Sequence, residues 1–71
     1  MRDESDQTIQ HAAAEQAHRE AVEYMRSMLT ELGAIARREK LDMLAYLIGM
    51  AAVEAADVLA REAARSWRRQ S

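Results

Sequence analysis

The 71 residues contain no cysteine, no proline and no phenylalanine, and only two glycines, Gly33 and Gly49. Without cysteine there are no disulfides, no thiolate metal sites and no cysteine nucleophile. Without proline, no residue forces a helix to stop. Alanine is abundant and β-branched residues are few, which favours helix, and nowhere does an alternating apolar and polar run suggest a strand. A glycine-rich phosphate loop is missing as well. Serines stand only at positions 5, 27, 66 and 71, none with a histidine at a helical spacing that would place a base beside it. An enzyme is therefore not expected. Charge of one sign is also missing: ten Lys and Arg against twelve Asp and Glu leave a net charge of −2, which exerts no general pull on nucleic acid. The first residues, MRDESDQT, are polar and lack the apolar core of a signal peptide, so a cytoplasmic setting is the expectation.

What is present is one dense apolar stretch, Leu41 to Leu59. At helical spacing, Leu41, Leu44, Leu47, Ile48, Ala51, Ala52, Ala55, Val58 and Leu59 form a broad stripe. Met43, Tyr46, Met50 and Val53 project from another side, and no charged residue falls between positions 43 and 53. A helix that is apolar nearly all round needs neighbours all round, in a core or in a membrane. The uncharged run is 11 residues long, short of the roughly 20 that span a bilayer, so no membrane span is expected. A domain this small buries only about 60% of its unfolded surface and needs a staple or a partner.

Residues 1–6 read as a flexible arm, with Ser5 or Asp6 able to cap a helix beginning there. That helix is expected over about 7–38. Its inward positions are His11, Ala14, His18, Ala21, Met25, Met28, Leu32 and Ile35, with Val22, Leu29 and Ala36 widening the stripe. Continuing that heptad would bring Glu39, Asp42, Tyr46 and Gly49 to the seam. The apolar pattern instead restarts at Leu41, Leu44, Ile48 and Ala51, displaced by two residues or about 200°. A coiled coil absorbs shifts of three or four residues, not two. The phase slip predicts a turn over about 39–42, with Lys40 as the turn residue and Asp42 as N-cap of a second helix over about 43–69. So short a connection makes the helices antiparallel neighbours in a single domain, residues 7–71. The expected fold is all-α: an antiparallel two-helix hairpin that dimerises into a four-helix bundle. In it, Leu41, Leu44, Ile48, Ala51 and Ala55 would face Met25, Met28, Leu32 and Ile35. Met43, Tyr46, Met50 and Val53 would form the dimer or partner interface, with Gly49 allowing close approach.

Two polar constellations accompany this pattern. His11, Glu15 and His18 share one side of the first helix, and Glu15-Gln-Ala-His18 matches the Glu-x-x-His pattern of carboxylate-bridged di-metal bundles. Four residues with two wildcards recur by chance in such a helix, so no metal or other cofactor is expected, and these three are only candidates. The same histidines would make pairing pH-sensitive, because an ordinary imidazole titrates near ~6.5. At the other end Arg61, Arg65, Trp67 and Arg68 offer cations beside an aromatic ring, a possible contact for an anionic partner such as single-stranded nucleic acid. Glu62 within that segment and the acidic balance of the chain oppose it. The reading that remains is a regulatory or adaptor protein, homo-oligomeric and presenting a helical surface to a larger protein. A nucleic-acid-binding dimer and a metal-binding bundle are the alternatives.

Overall fold

The computed structural model describes residues 4–70 in backbone and residues 11–68 in side-chain detail. The chain forms two helices packed on each other, α1 (Glu4–Arg38) and α2 (Asp42–Gln70). Of the described residues, 95% are helical and none is in a strand. The expected hairpin is therefore observed. Three boundaries differ: α1 already includes residues 4–6, expected in the arm, and α2 begins one residue earlier, at Asp42, and ends one residue later, at Gln70.

The break falls where the phase slip places it, and its chemistry is a Schellman turn. Lys40 has a φ of 61°. The Lys40 amide donates to the Arg37 carbonyl at 3.1 Å, and the Leu41 amide donates to the Ala36 carbonyl at 2.9 Å. These two bonds satisfy carbonyls that the end of α1 would otherwise leave without partners. The N-cap differs from expectation. The Ala45 amide donates to the Leu41 carbonyl at 2.8 Å, so Leu41 is the cap and Asp42 is the first helical residue. There its carboxylate acts on the positive end of the helix dipole rather than as a capping acceptor.

The seam between the helices is the largest correction. It is made of small residues: Val22, Gly33 and Ala36 on α1 with Ala45 and Ala55 on α2 are buried, flanked by half-buried Leu29, Ile48, Ala52 and Leu59. On α2 the repeat is regular, at positions 45, 48, 52, 55, 59, 62 and 66, the alternating three-and-four spacing of a coiled-coil seam. Met25, Met28, Leu32 and Ile35, expected at this seam, lie outside it, as do Leu41 and Leu44. Small side chains let two backbones approach closely, and a lone helix pair has only one contact surface to satisfy. Gly33 shows the closeness: a Cβ built there would lie 3.5 Å from Ile48 Cγ2. Gly49, expected at a close approach, has nothing within 4 Å of such an atom.

Candidate functional site

The displaced apolar residues are not scattered. Met28, Leu32 and Ile35 each precede a seam residue of α1 (Leu29, Gly33, Ala36) by one position, about 100° around the helix. Leu44, Leu47, Ala51 and Val58 stand in the same relation to Ala45, Ile48, Ala52 and Leu59 of α2. Because the helices run in opposite directions, the same backward step turns both stripes toward the same broad face of the hairpin. Met25 lies on that side of α1 as well. Glu54, which precedes Ala55, is the charged residue within this stripe of α2, and the result is an apolar surface two helices wide, concentrated in the half of the molecule nearest the turn.

That surface is open. Relative exposure is 51% at Met25, 37% at Met28, 44% at Leu32, 45% at Ile35, 48% at Leu44 and 55% at Leu47. Among the described residues no large side chain is fully buried anywhere in the hairpin. Each of these six leaves roughly 1 kcal/mol of apolar burial unrealised, taking full burial of such a side chain as about 1.5–3 kcal/mol. Contiguous apolar surface of this kind marks an interaction site more often than a free surface.

The opposite broad face, one position after the seam, is different. It carries Arg19, Glu23, Thr30 and Arg37 of α1 against Gly49, Ala56, Ala60 and Ala63 of α2. A cleft there is lined by Arg19, Glu23, Arg26, Leu59, Ala63, Ser66 and Trp67. Charge and small residues make up most of this side, with Tyr46 and Val53 at its outer edge. The four positions expected to form an interface, Met43, Tyr46, Met50 and Val53, are all more than half exposed. They form one stripe, spaced by three, four and three residues, on the side of α2 that faces away from the seam, with Tyr46 and Val53 nearer the charged face.

At the open end of the hairpin, a cleft of about 240 Å³ is lined by Ala14, Glu15, His18, Arg19, Glu62, Arg65 and Ser66. The His18 Nε2–H donates to the Glu62 carboxylate across the seam at 2.8 Å. His11 pairs along its own helix with Glu15, Nε2 to Oε1, at 3.0 Å. The three metal candidates are thus divided between an intrahelical pair and a cross-seam pair. Among the described residues no group of three or more His, Cys, Asp or Glu is placed to hold a metal ion. The arginine end is divided too. Arg61 reaches back to Glu54 at 3.3 Å, Arg65 joins the cleft with Glu15 and Glu62, and Trp67 lies in the cleft of the charged face.

One membrane criterion is met. The helix segment Asp42–Arg68 contains an 18-residue window of mean hydropathy 1.7, of which 6% is buried. The sequence-based exclusion counted only the uncharged run; this window admits the acidic Glu54 and Asp57. An Asp at the centre of a membrane helix costs about 2.5–3.5 kcal/mol, which weakens the spanning reading without the length argument. No protein-family model matches the chain, and no curated protein or solved structure matches it.

Proposed function

We propose that this chain is a small regulatory or adaptor protein that acts by protein–protein interaction through the apolar broad face of its hairpin. The observation that carries the reading is the distribution of side-chain size. Mostly small residues close the hairpin, while Met25, Met28, Leu32 and Ile35 of one helix and Leu44 and Leu47 of the other converge on one exposed face. A chain that needed them only for its own core would bury them at the seam. Helical surfaces of this type take up a partner's apolar helices. Met25 and Met28, with unbranched thioether side chains, adapt to more than one packing.

A photo-crosslinking residue in place of Leu47, compared with one in place of Ala63 on the charged face, tests the proposal in cells that make the chain. Protein adducts from position 47 and few from position 63 are expected. Adducts at position 47 to lipid instead of protein, or equal adduct formation from both positions, would overturn it.

A further inference from the structure

The geometry points to a second copy of this chain as the occupant of the broad face, paired face to face about a two-fold axis with both turns at the same end. This rests on reading that face as a protein-docking surface.

The first argument is area. The chain exposes 6037 Å², and a compact protein of 8.0 kDa is expected to expose about 4,500 Å². The excess is about 1,500 Å² per chain, or about 3,000 Å² for a pair, inside the range of roughly 2,000–5,000 Å² that obligate homodimers bury. The hairpin, 57 × 27 × 12 Å in extent, is a single layer of helices. A second layer of the same kind produces the two-layer architecture in which helices share a core.

The second argument is register. A two-fold axis parallel to the helices sets α1 of one copy on α2 of the other at the same distance from the turn. His18 opposite Glu62 and Gly33 opposite Ile48 fix the levels within one hairpin, so Met28 of one copy falls over Ala51 of the other. At the same offset Leu32 falls over Leu47 and Ile35 over Leu44, so aliphatic side chains meet toward the turn, while Met25 falls over Glu54, whose carboxylate pairs with Arg61. Further from the turn, Arg65 of one copy comes over Ala14 of the other. Alanine leaves room for an arginine stem while the guanidinium stays in water. All neighbouring helices in this arrangement are antiparallel. With the turns at opposite ends and full overlap, the apolar half of each copy would instead lie on the arginine-bearing half of the other. That register buries cations against leucine and methionine, so the turn-together pairing is the one the surface supports.

The chain has no cysteine, so Glu39→Cys places a unique thiol beside the turn. Spin labels there should report a narrow distance below about 20 Å, given interhelical spacings of about 8–10 Å. Turns on opposite ends would separate the labels by about 50 Å with full overlap and by about 20–25 Å with only the apolar halves overlapping, at a 1.5 Å rise per residue. Sedimentation of the same protein at micromolar concentration should show a dimer, and Leu47→Glu should abolish both the dimer and the short distance. Label distances of about 20 Å or more, or a helical monomer, would overturn the inference. A monomer whose position-47 crosslinks lead to other proteins overturns the self-pairing and leaves the docking reading in place. A monomer with no protein crosslinks from that position overturns both.

Discussion

The seam and the broad face of this hairpin are one residue apart around each helix, yet they are built from opposite materials. Val22, Gly33, Ala36, Ala45 and Ala55 close the seam, so the two helices hold each other through backbone proximity and little buried area. The broad face carries Met28, Leu32, Leu44 and Leu47 and covers none of them fully. The element that defines the topology is therefore not the element with most stabilisation to give. The turn and the alanine seam set which helix lies where. The larger reserve of apolar burial waits for a second surface. For a domain of this size, where total stability is about 5–15 kcal/mol, six half-exposed side chains of roughly 1 kcal/mol each are a decisive share.

Substitutions on the two surfaces should differ accordingly. The largest effect is expected from Leu47→Glu on the broad face. With assembly and folding linked, it should remove the oligomer seen by sedimentation and lower the melting temperature sharply, because the folded form loses the partner that stabilises it. In a free-standing hairpin the same change at a half-exposed site would alter little. Next comes the seam: Ala36→Leu, at a position only 3% exposed, should destabilise by about 1–3 kcal/mol through overpacking, measured by urea unfolding. Adding the same volume at Ala51 on the broad face, in a hairpin without its partner, should cost almost nothing.

The turn and the glycines give smaller effects of the opposite sign. Lys40→Gly should stabilise the chain by about 1 kcal/mol, since a side chain at positive φ is strained where glycine is not. A rise of about 4–8 °C in melting temperature is the expected readout. Gly49→Ala should add up to ~1 kcal/mol from helix propensity alone, because its new methyl group meets nothing within 4 Å. A loss of stability or of assembly would place an interface at Gly49 and so on the wrong side of the molecule. The smallest effect belongs to His18→Gln. The pair it forms with Glu62 is largely exposed, with the His18 side chain at 59%, and exposed pairs contribute about 0–1 kcal/mol.

Helix content, the break and its left-handed residue are readable from the sequence, because each rests on local physics. A two-residue phase slip admits no continuous coiled coil, and Lys40 sits where the backbone must reverse. The seam is not readable in the same way. Periodicity reports where apolar stripes lie, not which stripe meets which, and Met25, Met28, Leu32 and Ile35 make the stronger stripe. A signal is nevertheless present: positions 45, 48, 52, 55, 59, 62 and 66 keep an unbroken three-and-four spacing, small or polar throughout except Ile48 and Leu59. Reading size as well as hydropathy separates a close-packed seam from a surface awaiting a partner. Met43, Tyr46, Met50 and Val53 do form one exposed stripe, but it lies on the outer side of α2, away from the seam, where no stripe of α1 adjoins it. His11 and His18 share a stripe on α1, but only His18 is opposite a carboxylate of α2.

Whether covering the broad face is what stabilises the fold can be read from the concentration dependence of thermal unfolding. Melting the native chain over a hundredfold range of concentration should raise the transition temperature steadily with concentration, as linkage between folding and self-association requires. A transition that keeps the same midpoint across that range, from a fully helical starting state, would show that the hairpin is stable without a second copy.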